Sequence, residues 1–436
     1  MKRGFFVLLI LFFSPMFTFA THIVGGGFNM VHQGNSNYSI RLTLYFDGIN
    51  GDTLAVDQVV TFSIFRKRGN FRTQQITVPL DPGTDTIAYE ENDCGPNAKI
   101  KTKLLTYQTI VSLLPSLYDD AEGYYVMWER CCRNGSIINI VNPGATGQTF
   151  VMYFPPVIKN NQPFINSSPK FSPAPNNLFC INLVNNMSFS ANDADGDSLV
   201  YDLVNPLNSK TASSQAPVVP IGTRGPYPSI GWSLGFDSSN QIPGNPPLSV
   251  NGNTGLLNIF PNATGLYVFS VRCSEYRNGL KIGEIRREFQ QLVVDCPPNT
   301  PPGVFIQDLN KPGNIAKNDT LYLRGDAINP NCVQVKITDL QIGQTIKLKA
   351  IPLNFIPVGP ILGDTIKKVS NDSDTVRLSF CLSTCQGSSR QNPLKIRVIA
   401  YDNGCSASLS DTLELYLVVT IPPFQNAGLK FHRMIQ

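Results

Sequence analysis

Apolar and polar residues alternate along most of this chain. In Tyr38-Ser-Ile-Arg-Leu-Thr-Leu-Tyr-Phe46, the residues Ile40, Leu42, Leu44 and Phe46 fall on one face. Such a period of two is what a strand with one buried and one wet face requires. Val59–Phe65, Gln75–Leu80, Gly123–Cys131 and Thr149–Phe154 continue the pattern. A second set follows at Met187–Ala191, Leu199–Leu203, Leu248–Val250, Leu256–Phe260, Gly265–Cys273 and Arg287–Asp295. A third set comprises Thr320–Arg324, Val333–Ile337, Thr375–Phe380, Leu394–Tyr401 and Thr412–Val419. No run places apolar residues convincingly at i, i+3, i+4 and i+7; the nearest, Tyr107 to Tyr118, is broken by Pro115. The pattern predicts an all-β fold of tandem immunoglobulin- or cadherin-like β-sandwich domains.

Breaks in the pattern set the expected boundaries. A basic Met1-Lys-Arg, an apolar Phe5–Phe13 and the small residues before Thr21 read as a signal peptide over 1–20. The first sandwich domain is expected over 21–155. The Pro-rich stretch Phe154–Pro175 is a linker or a first edge strand, and a cadherin-like domain covers 156–296. Pro297-Pro-Asn-Thr-Pro-Pro302 is a stiff break, followed by a third immunoglobulin-like domain over 297–422 and a tail over 423–436. Within the second domain, Asn205–Pro247 is a long Pro-, Gly- and Ser-rich loop, expected to be either a disordered excursion or a functional surface. A loose repeat accompanies the three-domain division. Gly123-Tyr-Tyr125 and Gly265-Leu-Tyr267 each precede a cysteine (Cys131, Cys273) and then Arg-Asn-Gly (Arg133–Gly135, Arg277–Gly279). Ala400–Gly404 holds the comparable place before Cys405.

Composition changes the picture in two ways. Charged residues make up 15% of the 436, and the net charge is only +4, so no dense basic surface for nucleic acid is expected. The chain also carries 10 cysteines; in an exported protein these imply disulfides. The expected pairs are Cys94 with Cys131 or Cys132, Cys180 with Cys273, and pairing among Cys332, Cys381, Cys385 and Cys405. Cys381-Leu-Ser-Thr-Cys385 has zinc-like spacing, but no second half-site follows. No later stretch is long and apolar enough for a membrane span after signal cleavage.

Candidate chemistry centres on Asn192-Asp-Ala-Asp-Gly-Asp197. Three carboxylates two apart around a glycine supply hard oxygen donors at a density that suits calcium. The EF-hand pattern is absent, since the glycine comes too early and the twelfth position from Asp193 is Val204. The alternative is a solvated turn in which Asp and Gly serve the backbone alone. The enzyme look-alikes fail. Gly196-Asp-Ser-Leu199 and Ile23-Val-Gly-Gly26 lack a suitably placed base, as the histidines are His22, His32 and His432. Glu122, Glu129 and Asp237 could in principle form a glycosidase pair, but nothing singles them out. Tyr227, Trp232 and Phe236 in the long loop either stack on a sugar or pin the loop to its own sheet.

The Asp193–Asp197 turn resembles the Asp-x-Asp-Gly-Asp turn of bacterial cadherin-like modules. That resemblance implies a calcium site completed by a later acid, for which Glu275 fits and Asp295 fits less well. Thr21-His-Ile-Val-Gly-Gly-Gly27, the strand after it, the Asp193–Tyr201 turn and Gly252–Leu257 through Gly283–Phe289 resemble secreted multi-module proteins of gliding Bacteroidota, the gliding-motility-associated type. Asp-Thr or Asp-Ser before an apolar residue, at 52, 85, 197, 319, 364, 374 and 411, resembles the O-glycosylation signal of that group. The resemblance implies export to the cell surface or beyond, with the periplasm as the other destination, since Ile421–Gln436 is no recognisable sorting domain. The expected function is a non-catalytic structural or adhesion protein linked to gliding motility or surface attachment. Asp193, Asp195, Asp197 and Glu275 would hold calcium and fix how the modules point. Its partner would be a surface glycan or protein ligand. The competing expectation is a carbohydrate-binding accessory of polysaccharide use, with Trp232 as platform.

Overall fold

The structure, a computed structural model, describes residues 23–51, 56–83, 85–86, 101–173, 178–210, 222–307, 314–315, 320–324, 331–341, 344–357, 365–368, 375–382, 388–405 and 408–420. The expected signal peptide, the tail, Cys94, Cys385 and the Asp-Thr positions 52, 319, 364 and 374 lie outside them. The chain divides into two compact units, one ending at Asp295 and the other beginning at Cys296. Both are all-β with sandwich-like sheets, and the described residues contain no α-helix.

The first unit opens with β1 (Ile23–His32), β2 (Asn37–Asp47), β3 (Val59–Arg66), β4 (Arg72–Pro79), β5 (Asp85–Thr86), β6 (Thr102–Ser112), β7 (Tyr124–Arg130) and β8 (Gln148–Phe154). Short pieces follow: β9 (Ile158–Lys159), β10 (Gln162–Pro163), β11 (Lys170–Phe171), β12 (Phe179–Cys180), β13 (Asn185–Ser188) and β14 (Ala191–Asn192). Then come β15 (Ser198–Leu203), β16 (Ser249–Val250), β17 (Leu256–Ile259) and two long strands, β18 (Gly265–Arg277) and β19 (Leu280–Val294). The sheet runs β4-β3-β7-β8-β19-β1-β2-β6-β5, with β18 along the other side of β19 and β15 on β18.

This order corrects the expected boundary at 155. β19 pairs with β8 at Glu284↔Tyr153 and with β1 at Gly25↔Phe289, so strands of both expected domains share one sheet. One hydrophobic core runs from Ile23 to Val293. The physical reason lies in β1. A Cβ on Gly25 would sit 2.1 Å from the Glu288 carbonyl oxygen, and one on Gly27 would sit 2.5 Å from that of Arg286. Bare glycines let β1 press against β19 where side chains would hold it off. The sheet then folds over: Phe28 of β1 meets Phe62 of β3 edge-on at 5.1 Å. On the other side, Met187, Leu257 and Ile259 of the β13-β17-β16 sheet share the core with Phe269 and Val271 of β18.

The repeat that accompanied three domains does not mark separate ones. β7 and β18 belong to the same sheet. Gly123 and Gly265 both precede or start their strands at positive φ, but only Asn278-Gly279 forms a hairpin loop, with φ of 52° and 76°.

Two expected disulfides are also corrected. Cys131 and Cys132 are bonded to each other. Cys273 is a buried free thiol, while Cys180 is in a disulfide elsewhere. Cys180 stands beside Val294 of β19, and Cys273 stands opposite Ile285. Nine strand residues, about 30 Å at ~3.3 Å each, separate those positions, far beyond disulfide reach.

The second unit is a two-sheet sandwich. Its strands are β20 (Gly303–Gln307), β21 (Asn314–Ile315), β22 (Thr320–Arg324), β23 (Asn331–Thr338), β24 (Thr345–Pro352), β25 (Thr365–Lys368), β26 (Thr375–Leu382), β27 (Leu394–Tyr401) and β28 (Ser410–Thr420). The orders are β21-β20-β23-β26 and β22-β28-β27-β24-β25. Val304, Ile306, Val335 and Ile337 of one sheet share a core with Ile396, Val398, Leu413, Leu415 and Leu417 of the other. The alternating sequence dictates that core directly.

Candidate metal centre

β14 leads into the acidic turn and β15 leaves it. Asp193 builds the turn: its Oδ1 accepts hydrogen bonds from the backbone amides of Asp195 (3.0 Å) and Asp197 (2.9 Å). Gly196 takes a φ of +81°, which explains the glycine at that point. Asp195 accepts from the backbone amide of Ser167. Asp197 accepts from Arg277 Nε (2.7 Å) and Nη2 (2.6 Å), a bidentate fork. Arg277 also donates to the Ile165 carbonyl (2.9 Å) and Asn166 Oδ1 (2.7 Å). Asn166 in turn donates to Glu275 Oε1 (2.9 Å).

The four acids named from sequence therefore meet. Carboxylate oxygens of Asp193, Asp195 and Asp197 lie within 4.8 Å of one another. Glu275, opposite Leu199 on β18, is buried and hydrogen-bonded to Asp197. Asp295 follows the far end of β19 and does not belong to this group. Burial pushes the Glu275 carboxyl up to about 9; the Asn166 bond pulls it down, and the charges on Asp193 and Asp197 add to the rise. Arg277 is held above its ordinary value, first by its bond to Asp197. Asp193 Oδ2 is buried without a hydrogen-bond partner. Such an oxygen is costly to leave bare, and it fits a cation.

Arg277, Asn166 and Ser167 were missed in sequence. Asn166 and Ser167 fall in the stretch read as a linker, and Arg277 was seen only as part of the repeat. The site also lies within the first unit and not at a junction between modules, which corrects that expectation. It ties the turn to residues 165–168, where Ser168 Oγ accepts from the Met30 amide (2.9 Å) and Ser167 Oγ from the His32 amide (3.1 Å) at the end of β1.

The other candidate acids have structural work. Buried Glu129 accepts from the amides of Lys210 and Thr223, both at 3.0 Å, and so clamps the two flanks of the long loop. Glu129→Gln leaves one amide facing a donor; we expect a loss of about 1–3 kcal/mol, read from the urea midpoint. Glu122 is exposed and pairs with Arg68, and Asp237 caps its own turn through Ser239 and Asn240. The described aromatics of the long loop pack inward. Trp232 donates to Asn205 (3.1 Å) and packs with Ile137, Ile140 and Ile230; Phe236 meets Tyr267 at 6.0 Å. Tyr227 lies against Tyr125 at 6.4 Å. They hold the loop onto its sheet, with Trp232 half-buried there.

Fold and site together define an all-β protein with sandwich-like sheets and one acidic cluster. No family model matches the chain, and no curated protein does. Among solved structures, Drosophila N-cadherin EC1-3 is 12% identical over 68% of this chain and 76% of its own, with a TM-score of 0.18. The three N-terminal domains of the bacteriophage RB49 outer capsid protein Hoc are 10% identical over 92% and 100%, with a TM-score of 0.16. Latent PorU from Porphyromonas gingivalis is 8% identical over 92% and 34%, with a TM-score of 0.17. Scores this low carry no argument. No described helix is long and apolar enough to cross a membrane.

Proposed function

We propose that this chain is an exported, non-catalytic structural or adhesion protein of the cell surface or exterior, stiffened by calcium at Asp193, Asp195, Asp197 and Glu275. The observation that carries the calcium reading is the bare, buried Asp193 Oδ2 beside the Asp195 and Asp197 carboxyls, with Glu275 near enough to feel the charges of Asp193 and Asp197 and Arg277 as the one cation paired to the cluster among the described residues. Hard oxygen donors of this kind suit calcium, which when bound supplies positive charge to the cluster. Asp193 shapes the turn, Asp195 fastens it to Ser167, and Asp197 and Glu275 fasten it to β18. The hydrogen bonds of Ser167 and Ser168 then extend that anchorage to the end of β1. A surface glycan or protein is the partner this reading expects, and attachment or gliding the process. The test is thermal unfolding of the full exported chain in calcium and in chelator. A ligand bound only by the native state raises stability by about 2.7 kcal/mol at 100 times its Kd. We expect a higher Tm in calcium, lost when Asp193, Asp195 and Asp197 are all changed to Asn. An unchanged Tm at millimolar calcium would reduce the cluster to an arginine-braced turn.

A further inference from the structure

On the face of the first unit, β1, β2, β6 and the β11 segment enclose a cavity of about 240 Å³. Arg41, Lys170 and Arg287 line it, together with Tyr45, Phe171 and Leu104, and among the described residues no carboxylate does. Arg287 is the unusual member. It is only 6% exposed, yet its side chain has no hydrogen bond or ion pair among the described residues, and Nη1 is buried and unsatisfied. Instead its guanidinium lies over three rings: Phe171 at 4.5 Å, Phe189 at 5.4 Å and Tyr45 at 5.8 Å. Ring contacts give a guanidinium no oxygen acceptor, so the buried Nη1 is left for one. Burial pushes its pKa down, with the nearby Tyr45 working the other way. Among the described residues Arg41 spends only Nε, on Gln108 at 2.6 Å, and Lys170 is exposed at the mouth.

A buried cation without an anion is costly to the fold, and a pair needs both members. We propose that this cavity binds a small organic carboxylate, with the carboxylate on Arg287, Arg41 and Lys170 and the apolar or ring body against Tyr45, Phe171 and Leu104. A planar carboxylate matches the guanidinium edge with two parallel bonds. The cavity suits a ligand smaller than a drug molecule. Such a group comes either as a free acid or as a uronate unit of an acidic polysaccharide.

The experiment is titration calorimetry of the full chain with benzoate, galacturonate, their neutral counterparts benzamide and galactose, and inorganic phosphate. We expect saturable binding of at least one acid, with the tighter acid naming the source, and weaker binding of both neutral compounds and phosphate. Arg287→Met should weaken the acid at least about tenfold. If that variant fails to fold, Lys170→Gln at the exposed mouth should weaken the acid severalfold while leaving the ligand-free Tm unchanged. The proposal is overturned if neither acid binds, if benzamide or phosphate binds as well, or if the folded variants bind like the parent.

Discussion

Arg133→Met is expected to cost about 3–5 kcal/mol of unfolding free energy, the largest single effect among the charged residues considered. The Arg133 side chain is fully buried. Its guanidinium pairs bidentately with buried Glu288, donates from Nε to the Gly147 carbonyl (2.9 Å) and from Nη2 to the Leu207 carbonyl (2.8 Å). One side chain thus joins the start of β8, the base of the long loop and the middle of β19. Removing it strands the Glu288 charge in the interior with no counter-ion. The double variant Arg133→Met, Glu288→Met removes that stranded charge and should recover most of the loss, leaving about 1–2 kcal/mol for the two carbonyls. Urea unfolding of parent, single and double variants checks this. Equal losses in single and double variants would show that the pair is not what the arginine contributes.

The second large effect is a pH dependence. In chelator, the first unit should lose about 3 kcal/mol between pH 4 and pH 7 through Glu275 alone. Its folded carboxyl titrates at about 9, raised first by burial, while an unfolded glutamate titrates near 4.3. The native state therefore keeps a proton that the unfolded chain releases. The contribution is full below about 4.5, falls as the pH rises, and is gone above about 9. The titratable groups around it are Asp193 and Asp197 from the turn, and Cys273 and Arg277 on its own strand. Glu275→Gln imitates the protonated form: its oxygen can accept from Asn166 and its amide can donate to Asp197. Its stability should be flatter with pH and above the parent at pH 8. Parallel curves for the two proteins would assign the slope to other groups.

Local pattern carried much of this structure. The face marked by Ile40, Leu42, Leu44 and Phe46 is buried throughout, and Leu394–Tyr401 is a strand over that whole range. The acidic turn was also legible, because turn chemistry and ligand chemistry both reside in a few consecutive residues. Of the strands that were missed, β1 and β6 were hidden for local reasons. β1 hides behind three consecutive glycines, and Leu104, Tyr107 and Val111 in β6 have spacings that suit a helix face as well as a strand. The domain division failed for a different reason. Alternation says which face of a strand is buried but not which distant strand covers it. β19 is buried on both faces over Arg287–Gln291, so its pattern there loses the alternation that would have marked it as a shared centre. Arg133, Glu288, Arg287 and Glu129 look like ordinary surface charges in sequence; only long-range pairing puts them inside.

The pairing of β1 with β19 also dictates an order of events. Gln290 Nε2 donates to the Ile23 carbonyl at 2.8 Å, across 267 positions of chain. While the chain is still emerging, β1 and β2 can form a hairpin, but the far edge of β1 has no partner until nearly the whole first unit has been delivered. Non-local pairing of this kind is slow, and it leaves a strand edge open to other chains in the meantime. A chain built this way cannot mature piece by piece as a string of independent domains would. Its first unit is sealed late, by a single strand, and any polypeptide that stops short of β19 ends with that edge still open.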